Sequence, residues 1–346
     1  MGSTTDDGGA QATAKTGNVG SSTNNKGGYA ANAEDGKKAT VAAVEGEAVD
    51  DRIKVIVDTD IGTDPDDGLA LAYLALHPRC NLLGVTIVTG DVQQRAAVAA
   101  VLLRACGPEA AKIPIYCGRR NPLLEGNGQP NCQQYQYIQK KGDVLNRPEN
   151  TAVDFIRKSI HENLNEVVLL TIGPLSNLGL LFALDPEIAS ACRGLVSMGG
   201  KFLPAGEPHL EWNIAVDRTA AGMVVNTRRP SHRFVGLDVT RKVAWTKDEY
   251  LAFQDEVEGP LKPVLYKLSK WWMSIKDFMT FHDPLAAAVI FEPQLCTWVA
   301  GHVKIDPRNA KVTFTESEGG PDLIASAVDS EAFFKHYLEI LKNAPE

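Results

Sequence analysis

Apolar runs and amphipathic stretches alternate along this chain from residue 53 to its end, in a rhythm of strand and helix. Ile53, Val55, Ile56 and Val57 suit a strand buried on both faces, and Leu69, Ala70, Leu71, Tyr73, Leu74 and Leu76 continue as a helix that buries most of its circumference. Leu82 to Val88 predicts a second strand, and Val92 to Cys106 a helix stopped near Gly107-Pro108. Ile113 to Tyr116 predicts a third strand. Beyond a long polar segment, helices are expected over Asn150 to Asn163 and Leu175 to Leu184, with the strand Val167 to Ile172 between them. Leu195 to Met198 reads as a strand leading to Gly199-Gly200, Arg218 to Asn226 as a helix, and Arg233 to Leu237 as a strand. Helical patterns follow over Lys247 to Asp255, Gly259 to Ile275 and Leu285 to Ile290, the last opened by His282-Asp283-Pro284. Strand-like segments at Thr297 to Ile305, Lys311 to Thr315 and Leu323 to Ala327 precede a final helix, Ser330 to Leu341.

This alternation predicts an α/β fold: a single doubly wound domain with a mostly parallel central sheet, a Rossmann-like core and late β additions. The segment from Gly118 to about Arg147, rich in Gly, Pro, Asn and Gln, is too long for a mere connection; a lid or binding segment and a mobile surface excursion are both open readings. Residues 1–50 differ in kind. They are rich in Gly, Ser, Thr, Asn and Ala with almost no large apolar side chain, and read as a disordered tail ahead of a domain over 51–346.

Composition narrows the function. A net charge of -8 argues against general affinity for nucleic acid, which demands a basic face, so a small-molecule ligand is expected. No stretch approaches the roughly 18 to 20 consecutive apolar residues of a membrane span, and the N-terminal region lacks the apolar core of a secretory signal. The six cysteines are scattered without a CxxC pair and mostly lie in apolar surroundings, which suits reduced buried thiols and a cytoplasmic location.

The chemistry concentrates in IKVIVDTDIGTDPDDGLALA, where Asp58, Asp60, Asp64, Asp66 and Asp67 fall between the first strand and the first helix. In an open parallel sheet that junction is where ligands bind. Carboxylates a few ångströms apart raise one another's pKa values unless a cation cancels the repulsion. With no His or Cys in the loop, oxygen ligands suit a hard ion, calcium or magnesium. A plain helix cap is the competing explanation, but it needs one or two aspartates and the loop carries five. Three further polar clusters sit at strand ends: Gly90-Asp91, Glu211-Trp212-Asn213 with Asp217, and His282-Asp283.

Over residues 53 to 343 the chain resembles the nucleoside hydrolase family, the inosine-uridine preferring type of N-ribohydrolase. DTDIGTDPDDGLAL resembles the family's opening DxDxGxDD motif, and GVTIVTGDV, IPIYCG, TIGPLSNLGLLFALDPEI, SMGG, EWNIAVDRTAA and FHDPLAA match further family segments in the same order. The resemblance implies a calcium-dependent enzyme that cleaves ribonucleosides into nucleobase and ribose. It implies Asp60 as calcium ligand and water-activating base, Asp67 and Asp283 as further carboxylate ligands, and the Ile172 carbonyl as main-chain ligand. Asp58 would brace the loop. Asp66, Asp91, Glu211 and Asn213 would contact the ribose together with Asp283, Met198 and Trp212 would line the pocket, and His282 would protonate the leaving base. A homodimer or homotetramer is also implied.

Several positions depart from the family's pattern. The aspartate loop is two residues longer, so Asp64 could take the place of Asp66. GNGQPNCQQYQY replaces the usual His-Gly and Asp-Gly pairs, and LPAGEPHLEWN lacks a clear counterpart of a family Asn, a space Glu207 or His209 could fill. Trp271 and Trp272 could stack on a base, although a helical aromatic pair more often serves a core. Two other functions stay open on these residues: a phosphatase of the haloacid-dehalogenase type, from Asp58-Thr59-Asp60, and a calcium-stabilised ribose- or nucleoside-binding protein.

Overall fold

Strand β1 (Ile53–Thr59) lies within a nine-stranded sheet, flanked on both sides by parallel neighbours. The computed structural model describes residues 50–124, 128–139, 146–203 and 210–345. The strands that follow are β2 (Cys80–Ile87), β3 (Ile115–Cys117), β4 (Val167–Thr171), β5 (Gly194–Met198), β6 (His232–Val235), β7 (Ala244–Thr246), β8 (Phe278–Thr280), β9 (Cys296–Ile305), β10 (Val312–Glu316) and β11 (Asp322–Val328). The main sheet runs β10-β9-β11-β6-β5-β4-β1-β2-β3, and β7 pairs with β8 in a separate antiparallel ribbon. Every pairing from β3 across to β11 is parallel, and β9 and β10 bring in the antiparallel pairs. This is the doubly wound α/β architecture expected. Strand order reverses between β1 and β4, which opens a crevice at their carboxyl ends.

The helices are α1 (Asp66–Leu76), α2 (Val92–Ala105), α3 (Tyr135–Ile138), α4 (Ala152–Glu162), α5 (Ser176–Leu184), α6 (Trp212–Val216), α7 (Arg218–Asn226), α8 (Leu237–Thr240), α9 (Lys247–Glu256), α10 (Leu261–Ser269), α11 (Trp272–Ile275), α12 (His282–Ala288) and α13 (Ser330–Leu341). Successive side chains of a strand face opposite ways, and β1 shows it. Val55 and Val57 join a core with Leu69 of α1, Val98 of α2, Leu285 of α12 and Phe333 of α13. Ile56 joins the other core, with Ile160 of α4, Leu178 of α5 and Val224 of α7. Both faces are thus covered by helices, which is why Val55 to Val57 of β1 are all apolar.

Some elements differ from expectation. The helical pattern over Gly259 to Ile275 divides into α10 and α11, with the break at Lys270 and Trp271, and the indole of Trp272 then donates to the Phe278 carbonyl at 3.0 Å, tying α11 to the β7-β8 ribbon. The strand expected to reach Leu237 stops at Val235, and Leu237 opens α8. Helix α12 begins at His282, three residues ahead of the apolar run, so both polar residues fall in its first turn. The short elements α3, α6, α8, β7 and β8 carry too few residues to show a period.

Candidate active site

The carboxyl ends of β1 and β4 are locked together before any site residue is reached. The Ile172 amide donates to the Asp58 carbonyl at 2.9 Å, and the Asp58 carboxylate accepts from the Thr86 hydroxyl and, at 2.7 Å, from the Asn177 amide. Asp58 is buried, and its carboxylate ties the end of β1 to β2 and α5. Thr59 donates its hydroxyl to Asp67 and accepts from the Ile61 amide at 3.0 Å, which folds the loop back toward α1. Gly173 permits the close approach of β4: a Cβ there would lie 2.9 Å from the Asp60 amide nitrogen and carboxylate.

The crevice is a cleft of about 260 Å³ whose walls include Asp60, Thr63, Asp64, Asp66 and Asp67 from the aspartate loop and start of α1. Ile172, Met198, Glu211, Trp212, Asn213, His282 and Asp283 line it from the other strand ends and helix starts. Among the described residues, ligand oxygens of Asp66, Asp67 and Asp283 lie within 4.8 Å of one another, and all three residues are buried. Asp60 and Ile172 line the same cleft outside that trio. The Asp283 amide also reaches the Asp66 carboxylate at 3.4 Å, tying the start of α12 to the start of α1.

Burial and mutual repulsion make these groups reluctant to ionise in the absence of a cation. Burial pushes Asp60 up to about 6, opposed by the charge of Arg95. Burial raises Asp64 to about 7, with Asp60 adding to it, and Asp66 to about 8, with Asp64 adding to it. Asp67 and Asp283 are driven well above the usual carboxylate range by burial and by their acidic neighbours. A dense set of buried oxygen donors under mutual repulsion is the donor set a hard divalent cation relieves.

The opposite wall is built around α6. Glu211 caps that helix, its carboxylate accepting from the amides of Asn213 at 2.8 Å, Ile214 at 3.1 Å and Gly200 at 3.0 Å. Gly200 adopts φ +83°, which turns the chain after β5 toward that carboxylate. Asn213 donates its side-chain amide to the carbonyls of Ile172 and Met198, both at 3.1 Å. Trp212 is 54% exposed at the rim. His282 Nδ1 lies 2.7 Å from the Thr240 hydroxyl, which fixes the ring and leaves Nε2 for the cleft. Burial and then Arg241 lower the imidazole to about 4.

Not every expected residue meets the cleft. Asp91 caps α2, accepting from the amides of Gln93 and Gln94, and is absent from the lining. Asp217 caps α7 and accepts from the Ser176 hydroxyl at 2.6 Å. Trp271 and Trp272 also lie away from the lining. Glu207, His209 and residues 1–49 are outside the described residues. Thr63, Gln129, Leu237 and Arg241 line the cleft without having been singled out in the sequence.

The profile of a family described as inosine-uridine preferring nucleoside hydrolase matches residues 55–335. The chain belongs to this family. As a nucleoside hydrolase it is an enzyme that hydrolyses the N-glycosidic bond of ribonucleosides. Relatives include uridine nucleosidase 1 of Arabidopsis thaliana, 28% identical over 282 residues that cover 77% of this chain and 82% of that protein. The non-specific ribonucleoside hydrolase RihC of Klebsiella pneumoniae is 29% identical over 317 residues, 85% of this chain and all of that one. The fold agrees with the plant nucleoside hydrolase PpNRh1 at a TM-score of 0.73 and 24% identity, covering 85% of this nucleoside hydrolase and 99% of that chain. No helix among the described residues is long and apolar enough to cross a membrane.

Proposed function

We propose that this nucleoside hydrolase is calcium-dependent and that the cleft at the ends of β1 and β4 is where a ribonucleoside is cut to free base and ribose. The observation that carries the reading is the gathering of Asp66, Asp67 and Asp283 within 4.8 Å, with Asp60 on the same wall. Asp60, Asp67, Asp283 and the Ile172 carbonyl would hold the ion. When bound, calcium supplies the charge that keeps these carboxylates ionised and a centre for oxygen ligands. The catalytic domain is taken as residues 51–346, acting as a homodimer or homotetramer in the cytoplasm.

The residues of the chain then divide the work. Asp60 takes a proton from the attacking water, a general-base role worth about 100-fold to 10,000-fold. Asp66, Glu211 and Asn213 bind the sugar, with Asp64 next to Asp66 on the lengthened loop as a further acceptor. Met198 and Trp212 supply apolar surface. The sugar passes through an oxocarbenium-like state, and electrons of the broken bond move to the base. His282 protonates that base. Burial and Arg241 keep the imidazole neutral at rest, so as negative charge gathers on the leaving group the ring takes a proton from solvent and passes it to the base, returning to its neutral form.

A phosphatase of the haloacid-dehalogenase type is not favoured, since the family match spans residues 55–335. Product analysis separates the readings. Incubation with a panel of ribonucleosides, deoxyribonucleosides and p-nitrophenyl phosphate should yield free ribose and base from the ribonucleosides. Phosphate release without ribose release would overturn the proposal, and so would tight nucleoside binding with no product.

A further inference from the structure

Arg95 of α2 is fully buried, and the acceptors around its guanidinium are carbonyl oxygens of main chain and amide. Nε donates to the Thr89 carbonyl at 2.9 Å. One terminal nitrogen donates to the carbonyls of Asp60 and Ile61, the latter at 3.0 Å. The other donates to the Gln129 carbonyl at 2.9 Å, its side-chain oxygen at 3.3 Å and the Asn131 carbonyl at 3.1 Å. A buried charge is costly, and here its rigid fork of donors ties three separate segments: the aspartate loop, the turn after β2, and the stretch around Gln129.

The seam continues beyond Arg95. The Gln134 amide donates to the Gly62 carbonyl at 2.9 Å, the Gln134 side chain to the Asp64 carbonyl at 2.9 Å, and the Thr63 hydroxyl to the Asn131 carbonyl at 3.2 Å. The approach is close enough to need glycine. At Gly90, where φ is +64°, a Cβ would lie 1.9 Å from the Gln129 carbonyl oxygen. Asp60 and Gln129 both line the cleft.

We infer that Arg95 is a positioning residue that fixes the main chain carrying Asp60 against the segment carrying Gln129, making that segment a structural wall of the active cleft. The catalytic consequence rests on the function proposed above; the mechanical one does not. Lysine keeps the charge but presents a single nitrogen, which cannot span the three segments.

Arg95→Lys and Arg95→Met in the full chain test this, with hydrogen exchange at residues 59–64 and 129–134, thermal unfolding, and kcat and KM on uridine and p-nitrophenyl riboside. In folded variants exchange should rise about 10-fold or more in both segments together while β9 to β11 stay protected. The kcat should fall about 100-fold on both substrates, the scale of a small misplacement, with KM changed less. Unchanged protection in either segment, or a wild-type kcat, overturns the inference. If both variants fail to fold, native-state exchange of the wild-type chain decides: residues 59–64 and 129–134 should open together as one unit, and independent opening of the two segments overturns the inference. A wild-type protein that hydrolyses no nucleoside sinks the proposed function, while the exchange measurements still decide whether Arg95 clamps the two segments.

Discussion

The Asn213 side-chain amide donates to the Ile172 carbonyl at 3.1 Å, joining the start of α6 to the end of β4. The same nitrogen reaches the Met198 carbonyl at 3.1 Å. Asn213→Leu takes away this donor from both carbonyls, and buried unsatisfied polar groups cost about 1 to 3 kcal/mol. Urea unfolding of the metal-free variant should show a loss of that size. An unchanged midpoint would mean that the tie is not formed in solution.

Asp67 offers a crossover between two states of the same protein. Its carboxyl is pushed well above the usual range by burial and by Asp60 and Asp66, so in metal-free protein near neutral pH Asp67→Asn removes the cost of protonating that group on folding and should raise the melting temperature by about 2 to 4 °C per kcal/mol gained. With calcium present the order should reverse, because the variant lacks a ligand. Calorimetric titration should show calcium binding lost or severely weakened. Destabilisation of the metal-free variant together with unchanged calcium affinity would place the ion elsewhere.

The pH dependence follows from the same carboxyls. Asp58, Asp60, Asp64 and Asp66 are raised from 3.8 to about 7, 6, 7 and 8, so the metal-free fold binds protons that the unfolded chain has released. Stability from a raised acid is fully present below the unfolded value and lost as pH rises through the folded one. Metal-free stability should therefore fall between pH 6.5 and 8.5. That range lies above the region where His77, lowered to about 4 by burial, and His232, also lowered by burial, contribute with the opposite sign. Calcium affinity should rise over the same interval as protons cease to compete. A flat stability profile with pH-independent affinity would contradict the metal assignment.

His282 and Asp60 should be separable by leaving group. His282→Ala should slow inosine and uridine sharply, yet largely spare p-nitrophenyl riboside, whose leaving group departs as a stable anion. Thr240→Val, which loses the hydroxyl 2.7 Å from Nδ1, should do the same more weakly. Asp60→Asn should slow every substrate by about 100-fold or more. Equal losses on both substrate types in His282→Ala would make the ring a positioning residue.

The fold was legible where one physical pattern governs a long segment. β1 and α1 are apolar because both are covered on most sides, and the final helix follows the expected bounds, Ser330–Leu341. α6 was not legible as a helix, since its five residues show no period and its cap, Glu211, reads equally as a ligand contact. Asp91 shows the same ambiguity, because a side chain that satisfies two helix amides looks in sequence like one that faces a sugar. Gln129 reaches the cleft through contacts with Arg95, 34 positions away, and no local pattern encodes such a tie.

Release of free ribose from uridine and inosine, followed in calcium-replete protein and again after exhaustive chelation, tests the central claim most directly. The carboxylate cleft predicts ribose and base in equal amounts, activity lost with the metal, and recovery when calcium alone is returned. Failure to release ribose from any ribonucleoside, or full turnover by protein shown by elemental analysis to hold no metal, would contradict it.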